Sequence, residues 1–457
     1  MDGTRRFPPA DGAAPPHALA AAVARSVSSV LPNGACVAVA LSGGRDSVAL
    51  LDATLADAAG AKYAIVAFHV DHGLSPRAPE WAQFCRELCA GRDIPCFVQR
   101  VVVDCGPRVS VEAAARNARY AALAGLAHDH GAAGVLLAHH ADDQAETTLL
   151  QLLRGAGPRG LAAMPQARFD GSLWWLRPFL RIPRTVVDEH IVQRALRHVD
   201  DESNADGRYR RNALRNAIVP SLRAIAPGYP ATLVRAAELQ ADAAALLDDL
   251  ANLDARGAYD GTSLDCALFA RLDARRGGNV LRWFLREKRL PAPSRARLAE
   301  AVRQLHRNDA NSRITLRHAG FELGVHGGRL VVHRPQVGPY RHPWDGAAQW
   351  EMPHGTLTFT SVRGAGIAAR HVGPTTVTIR SGVAGEQLRL PGRDNRRNVA
   401  DLLRDAGIPR WDRRGIPRIY CGDALAAVAS IGEDAAFAAE AGEPGFAWRW
   451  QPASPPR

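Results

Sequence analysis

Lysine is nearly absent from this chain of 457 residues and occurs only at Lys62 and Lys288. A Walker-type phosphate loop needs a lysine inside its glycine-rich turn, so that class of nucleotide site is excluded. Arginine therefore supplies almost all of the positive charge: lysine and arginine together number 57 against 46 acidic residues, a net charge of +11. A surplus of this size favours a polyanionic partner, with nucleic acid first among them.

The chain also lacks a C-x-x-C pair and any uninterrupted apolar run of about 20 residues, the length of a membrane span. Its cysteines are odd in number, seven, at positions 36, 85, 89, 96, 105, 266 and 421. In a chain of this length we expect reduced thiols rather than a disulfide scaffold, and buried hydrophobes rather than metal ligands. The N-terminus makes a poor signal peptide, so we expect a soluble, cytoplasmic protein with no membrane partner.

Short apolar runs alternate with amphipathic stretches from about residue 34. The runs of strand length are 36–41, 63–70, 96–103 and 134–138. The helix-like stretches are 46–59, 79–91, 110–128 and 142–153. This alternation predicts an α/β fold, in which helices cover both faces of a parallel sheet and ligands bind at the carboxyl ends of the strands.

The length predicts several domains. We expect a flexible segment at 1–33, a catalytic α/β domain at 34–217, a helical domain at 230–310, short strands and a linker at 311–370, and a small C-terminal α/β domain at 372–450. Between Arg271 and Arg307 there are eleven basic residues and three acidic ones. A solvated helix face would account for such a run, and an RNA-facing surface is at least as well supported.

The strongest motif, Ser42-Gly43-Gly44-Arg45-Asp46-Ser47, directly follows the first predicted strand and opens a helix. Its glycines permit a tight turn, and the helix N-terminus favours an anion at the same place. The two serines add hydroxyl donors, while Asp46 is either a Mg²⁺ ligand or an ordinary acidic residue at a helix start. The setting between strand and helix favours a pyrophosphate site over a structural turn.

A second concentration of polar residues follows the fourth strand, where two histidines precede Asp142, Asp143 and Glu146. On a helix, Glu146 shares a face with either aspartate. Acidic residues are also common in first helical turns, because the helix dipole stabilises them there. Paired carboxylates at the crevice can instead bind an ammonium group, hold Mg²⁺ or accept a proton.

Two arginine pairs have helical spacing. Arg116 and Arg119 lie three residues apart. They either line the crevice or form a salt-bridged helix surface, and the two interpretations have equal support. Arg211 and Arg215, four apart, would present one cationic edge to RNA phosphates or to ATP.

A second glycine pattern, Gly155-x-Gly157-x-x-Gly160, spells the dinucleotide-binding fingerprint. That fingerprint must follow a strand and open a helix, whereas this one follows a predicted helix. The pattern therefore predicts a turn that ends a helix, or a glycine loop lining a substrate pocket.

The motif at residues 42–47 resembles the PP-loop of the N-type ATP pyrophosphatases, enzymes that split ATP between the α- and β-phosphates. Further segments narrow the match to the tRNA(Ile)-lysidine synthetases, which attach lysine to the wobble cytidine of a CAU anticodon. These segments are residues 69–74, 112–120, 139–147, 155–161, 177–180, 211–215, 385–386 and 406–411.

The resemblance implies a PP-loop domain related to the adenine nucleotide α-hydrolases, followed by tRNA-binding domains. It implies ATP and Mg²⁺ as cofactors, and free lysine and tRNA(Ile) with a CAU anticodon as partners. It assigns catalysis to Asp46, Asp143 and Glu146. Asp46 would also bind Mg²⁺, and the other two would bind the side-chain amine of lysine. Lysine and tRNA binding also involve Asp142, and Arg116 faces a substrate carboxylate or phosphate. The resemblance assigns ATP binding to Ser42, Gly43, Gly44, Arg45, Asp46 and Ser47.

In the implied reaction the tRNA is first adenylated, with release of pyrophosphate, and lysine then displaces AMP. One of the two carboxylates is the nearest base for the lysine proton. Two alternatives stay open: a PP-loop tRNA cytidine thiolase, disfavoured because no C-x-x-C pair is present, and a basic RNA-binding protein with a vestigial ATP site. Both a monomer and a homodimer are compatible with the sequence.

Overall fold

The computed structural model describes residues 18–58, 63–73, 75–103, 111–199, 210–307, 314, 316–373 and 377–453, without the side chain of Glu112. Lys62, Cys105 and residue 74 of the segment 69–74 lie outside these residues. The chain forms two compact units, one ending at residue 246 and the other beginning at residue 247. None of the helices in the described ranges is both long enough and apolar enough to cross a membrane.

The first unit alternates strands and helices along the chain. Its strands are β1 (Cys36–Ala40), β2 (Ala64–Asp71), β3 (Cys96–Arg100), β4 (Ala132–Leu136), β5 (Ala167–Phe169) and β6 (Trp174–Leu176). Its helices are α1 (Ala18–Ser28), α2 (Arg45–Ala58), α3 (Ala78–Ala90), α4 (Val111–Asp129), α5 (Ala141–Leu153), α6 (Pro158–Leu161), α7 (Arg184–Gln193), α8 (Arg210–Ala213), α9 (Val219–Ile225) and α10 (Tyr229–Ala255), which continues into the second unit. A π-helical turn, Leu214–Ile218, joins α8 to α9.

The strands of the first unit form one sheet in the order β3-β2-β1-β4-β6-β5, parallel except for β5. Along β1, Val37 and Val39 are buried in one apolar core, and Ala38 is buried in the core on the opposite face. Successive strand residues point to opposite faces, so both faces of this sheet are covered. The predicted α/β fold with a parallel sheet is confirmed.

Helix α1 corrects the expectation that residues 1–33 are a flexible segment. Leu19 and Val23 lie one helical turn apart, are at most 2% exposed, and pack in the same core as Val37. This apolar face is buried against the sheet, so the α/β domain begins before residue 34. Residues 1–17 lie outside the described ranges.

The second unit contains two separate apolar cores. Its helices are α11 (Ala274–Glu287), α12 (Arg295–His306) and α13 (Val399–Asp405). Its strands are β7 (Leu264–Asp265), β8 (Leu316–His318), β9 (Phe321–His326), β10 (Arg329–His333), β11 (Arg341–Pro343), β12 (Gln349–Met352), β13 (Gly355–Arg363), β14 (Ile367–Ala368), β15 (Val377–Arg380), β16 (Gln387–Leu388), β17 (Arg397–Asn398), β18 (Arg418–Cys421), β19 (Ala424–Val428), β20 (Gly432–Glu433) and β21 (Pro444–Pro452).

Strand pairing overturns the boundaries expected near residues 310 and 371. Strand β7 pairs with β10, so the segment around α11 and α12 shares a sheet and a core with β8–β10. Strand β13 pairs with β21 over nine residues, and β11 pairs with β15. Long-range pairing of this kind leaves no local signal in the sequence. It joins the expected linker to the helical segment on one side and to the C-terminal domain on the other.

Candidate active site

The loop between β1 and α2 requires glycine at position 43. The φ of Gly43 is +86°, a left-handed conformation that other residues adopt only with strain. A Cβ added there would lie 3.0 Å from Val199 Cγ2 and 3.3 Å from Cys85 Sγ. The Val199 amide also donates to the Gly43 carbonyl at 3.0 Å. The turn is therefore fixed by its own backbone and by the residues packed behind it.

Ser47 closes this loop from inside with its hydroxyl group. Its buried Oγ donates to the Gly44 carbonyl at 2.9 Å and accepts the Ser42 amide at 3.1 Å. In this geometry the hydroxyl proton of Ser47 is used within the loop, so its role as a donor to a ligand stays a prediction. Ser42 is exposed, with its Oγ 3.1 Å from that of Ser47. The loop places the first turn of α2, with its amide groups, at the carboxyl end of β1.

Arg45 contacts a helix that is distant in sequence. Its Nη1 donates to Asp188 Oδ1 on α7 at 2.7 Å, and both side chains are about one-third exposed. Asp188 was not identified from the sequence. It lies 143 residues from Arg45, and no motif around it points to the loop.

Asp46 combines a shielded oxygen with a partly exposed side chain. Its Oδ1 is buried without a hydrogen-bond partner in the described part of the chain, and Oδ2 lies 3.8 Å from His140 Nε2. Burial raises the pKa of the Asp46 carboxyl, and the charge of Asp143 raises it further against the opposing effect of His140. An unpaired carboxylate oxygen is the ligand that Mg²⁺ prefers, so this residue fits a magnesium ion.

Across the described ranges, no group of three or more His, Cys, Asp or Glu side chains is arranged to hold a metal ion. Proteins commonly bind Mg²⁺ through one or two carboxylates together with substrate phosphates. A magnesium ion on Asp46 would thus take its remaining ligands from the nucleotide and water.

His140 and Asp143 fix the start of α5 by capping each other. The Asp143 amide donates to His140 Nδ1 at 3.4 Å, and the His140 amide donates to Asp143 Oδ2 at 3.1 Å. His140 Nε2 lies 3.5 Å from the same Asp143 carboxylate. His140 therefore stands between Asp46 of the loop and Asp143 of α5, which links the two predicted sites.

Asp143 and Glu146 share two arginines from the segment after α7. Arg211 donates from Nη2 to Asp143 Oδ1 at 2.6 Å and from Nε to Glu146 Oε2 at 2.8 Å. Arg215 donates to Glu146 from Nε at 2.7 Å and from Nη2 at 2.9 Å. The expected cationic edge exists, but it faces these carboxylates rather than standing free for phosphates.

Neighbouring groups keep Asp143 ionised. Burial alone would raise the pKa of this carboxyl, but electrostatic interactions with His140 and Arg211 outweigh it and lower the pKa to about 2. The same ion pairs raise the pKa of Arg211 against the cost of its burial. The site is thus a charge-balanced group of two carboxylates and two guanidinium ions.

Asp142 points elsewhere. Its Oδ2 accepts the Arg184 amide at the start of α7 at 2.9 Å, and Oδ1 lies 3.5 Å from Arg223 Nη2. Of the two aspartates, the structure therefore groups Asp143 with Glu146, and Asp142 anchors the N-terminus of α7.

Arg116 is exposed on α4. Its Nη2 donates to the Tyr120 hydroxyl at 3.3 Å, and its guanidinium carbon lies 5.1 Å from the centre of that ring. Arg177 donates to the same hydroxyl at 3.2 Å. Arg177 lies in the segment 177–180, about 60 residues after Arg116 in the chain, and no motif in the sequence indicates that the two share a partner.

The pattern beginning at Gly155 is a turn that ends a helix, as predicted. It directly follows α5, Gly155 has a φ of +70°, and the short helix α6 comes next. Left-handed glycine is a common helix terminator, and no strand precedes the pattern in this described segment. The dinucleotide-binding interpretation is excluded.

A lysine-free glycine loop follows the carboxyl end of β1 and leads into a helix with an acidic first turn. This arrangement defines a PP-loop nucleotide-binding protein. Residues 18–222 match the family model described as PP-loop domain. Residues 264–331 match the TilS substrate binding domain, and residues 377–450 match the TilS substrate C-terminal domain.

Curated relatives extend the match over almost the whole chain. The tRNA(Ile)-lysidine synthase of Nitrosomonas europaea is 35% identical, covering 91% of this chain and 91% of the relative. That of Chromobacterium violaceum is 40% identical, covering 91% of this chain and 95% of the relative. The chain belongs to the tRNA(Ile)-lysidine synthase family.

Among solved structures, the U34-tRNA thiolase NcsA from Methanococcus maripaludis, with its [4Fe-4S] cluster, is 17% identical and has a TM-score of 0.42. It covers 48% of this chain and 76% of that chain. A likeness at this level carries no argument about function.

Proposed function

We propose that this chain is a ligase that joins lysine to C2 of the wobble cytidine of tRNA(Ile) with a CAU anticodon, giving lysidine, AMP and pyrophosphate. Membership of the synthase family supports the reaction class. The observation that carries the assignment of the site is the position of His140, 3.8 Å from Asp46 and 3.5 Å from Asp143. A nucleotide site and a carboxylate pair thereby adjoin at the carboxyl ends of β1 and β4.

In the first step the loop at residues 42–47 holds the triphosphate of ATP. The cytidine O2 attacks the α-phosphorus, and the bond to the departing pyrophosphate breaks. Amide groups at the start of α2 stabilise negative charge, with no lysine needed. Magnesium held by Asp46 would neutralise phosphate charge. Catalysis here is positioning and charge stabilisation, so no protein nucleophile is required.

In the second step the lysine amine attacks C2, the C2–O bond breaks, and AMP leaves. Asp143 and Glu146 are placed to hold the incoming ammonium group. Because Arg211 and Arg215 already hold both carboxylates, we expect the ammonium group to compete with a guanidinium donor. An arginine displaced in this way would be able to contact phosphate, the role expected for these arginines.

The amine must lose a proton before it attacks. A free lysine has a pKa of about 10.4, whereas the pKa of Asp143 is about 2. Transfer between them would cost on the order of 10 kcal/mol, so Asp143 is suited to holding the ammonium charge rather than to removing its proton. We therefore assign Asp143 to binding the ammonium group.

The second unit is proposed to bind the tRNA. Arg275, Arg289 and Arg295, in the basic stretch around α11 and α12, are exposed and so available to phosphates. ATP, free lysine and tRNA occur together in the cytoplasm, where we place the reaction.

The test incubates the purified protein with ATP, Mg²⁺, labelled lysine and CAU-anticodon tRNA, and measures label in the nucleoside digest. We expect labelled lysidine from the wild type and none from Asp46→Ala. Asp57→Ala, on the same helix but remote from the loop, is the matched control and should retain product. Tight tRNA binding without any product would instead support the basic RNA-binding protein with a vestigial ATP site.

A further inference from the structure

The second unit consists of two lobes, each built around its own apolar core. The middle lobe contains α11, α12 and β7–β10, and the terminal lobe contains α13 and β11–β21. Residues 334–340 connect the two lobes without regular secondary structure. A connection of this kind limits the distance between two lobes but does not fix their orientation. A packed contact between the lobes is needed to fix it.

One face of the β9–β10 hairpin is available for such a contact. Leu323 and Leu330 are at most 1% exposed and lie on the inner face, in the core of the middle lobe. Successive strand residues point to opposite faces, and Glu322 lies directly opposite His333 across the pair. Gly324, His326 and His333 therefore share the outer face of the hairpin.

Trp411 of the terminal lobe packs on this outer face. Its ring stacks on the ring of His333, with centroids 4.0 Å apart and planes 3° apart. The ring of His326 meets it edge-on at 6.2 Å, and His326 Nε2 donates to the Gly407 carbonyl at 2.9 Å. Gly407 and Trp411 follow α13, whose Leu403 is buried in the terminal core. The contact thus joins elements that are anchored in both lobes.

Gly324 provides the space for the indole ring. A Cβ added at this position would collide with Trp411 Cζ3 and would lie 2.9 Å from Trp411 Cε3 and from His333 Nε2. The φ of Gly324 lies outside the left-handed region, so its backbone conformation is open to other residues. The lack of a side chain at Gly324 therefore serves the indole ring rather than a turn.

We propose that Trp411, seated on Gly324, is a positioning residue that holds the two lobes in the orientation in which both bind one tRNA molecule. The inference rests on the proposed function, in which the second unit binds tRNA. Exposed arginines occur in both lobes: Arg275 on α11 in the middle lobe, and Arg393 and Arg410 in the terminal lobe. Two cationic surfaces in a fixed orientation bind one polyanion more tightly than the same surfaces on a loose connection.

The experiment measures the affinity of the full chain for CAU-anticodon tRNA and for its isolated anticodon stem–loop, both by filter binding. Trp411→Ala should weaken tRNA binding roughly 10-fold or more, because lobes that move independently lose the advantage of binding together. Binding of the stem–loop should not change, since this hairpin lacks the other arms of the tRNA. In turnover, the KM for tRNA should rise by the same factor, with kcat and the KM for ATP unchanged.

Gly324→Ala should cause the same selective loss, because the added Cβ displaces the indole ring. The double variant should bind tRNA no more weakly than either single variant, since both substitutions remove one contact. Trp411→Phe, which keeps a ring against His333, should retain most of the affinity. Gly228→Ala is the matched control: nothing lies within 4 Å of its added Cβ, and tRNA binding should stay unchanged.

Equal loss of affinity for the tRNA and the stem–loop would indicate a general folding defect and overturn the positioning role. Unchanged tRNA affinity in both single variants, or losses that add up in the double variant, would overturn it as well. Failure of the proposed function is a separate result. If the wild type forms no lysidine, the assigned reaction is wrong, and the tRNA affinities of the variants still decide the role of Trp411.

Discussion

Glu146→Gln separates a lysine-binding carboxylate from a purely structural ion pair. Glu146 is 4% exposed and accepts three hydrogen bonds from Arg211 and Arg215. Glutamine preserves the shape and one acceptor oxygen but removes the charge. Breaking a buried ion pair costs about 3–5 kcal/mol; the retained oxygen and the hold of Asp143 on Arg211 place the expected loss near the lower value, about 3 kcal/mol.

The same substitution should raise the KM for lysine by about 10- to 100-fold, since a hydrogen bond to a charged group is worth about 1.5–3 kcal/mol. The KM for ATP should stay unchanged, because the loop at residues 42–47 makes no contact with Glu146. Steady-state kinetics and denaturant unfolding measure the two effects separately.

The double variant Glu146→Gln, Arg215→Gln tests the reasoning further. It removes the stranded guanidinium charge, so it should recover part of the lost free energy of unfolding while the KM for lysine stays high. If Glu146→Gln lowers stability but leaves lysine kinetics as in the wild type, the carboxylate is only a structural partner and its assignment to the substrate is refuted.

Three further predictions concern the phosphate loop. Gly43→Ala should weaken ATP binding at least 10-fold. A left-handed φ costs alanine about 1–2 kcal/mol, and the new Cβ would press on Val199. The control is Gly34→Ala, which has a φ of +84° but open space around it and should leave ATP affinity intact in the same titration. Asp46→Asn should abolish pyrophosphate release while filter-binding assays find tRNA affinity unchanged. Pyrophosphate release that persists in this variant would show that Asp46 is not part of the nucleotide site. On acidification, affinity for magnesium-ATP should fall at a pH above that of an ordinary aspartate, about 3.9, because the carboxylate of Asp46, whose pKa is raised, loses its charge early. A titration whose midpoint matches an ordinary aspartate would show that burial does not tune this group.

The α/β unit could be predicted from the sequence because its signals are local. Each strand is a short apolar run, each helix has an amphipathic pattern, and the phosphate loop sits between one strand and the next helix. Helix α1 was missed although Leu19 and Val23 have helical spacing. Its segment is short and follows a proline-rich stretch, so nothing local showed that this face packs on the sheet.

The pairing of the acidic and basic residues in the site could not be predicted. Spacing placed Asp143 and Glu146 on one face of a helix, and Arg211 and Arg215 on one edge of another. It gave no indication that the two sets neutralise each other across more than 60 residues of chain. The same limit applies to Asp188 beside Arg45, because such contacts depend on how distant helices pack.

The C-terminal boundaries failed for a related reason. Strand β13 and strand β21 pair in full register although about 80 residues separate them, and only tertiary structure joins them into one sheet.

The central claim is that backbone amides at the start of α2, rather than a lysine, hold the triphosphate of ATP. A crystal structure with Mg²⁺ and an ATP analogue that resists cleavage between the α- and β-phosphates tests it most directly. We expect phosphate oxygens within hydrogen-bond distance of the amides of residues 44–47, with the metal ion on Asp46. Well-ordered phosphates bound away from this loop would contradict it.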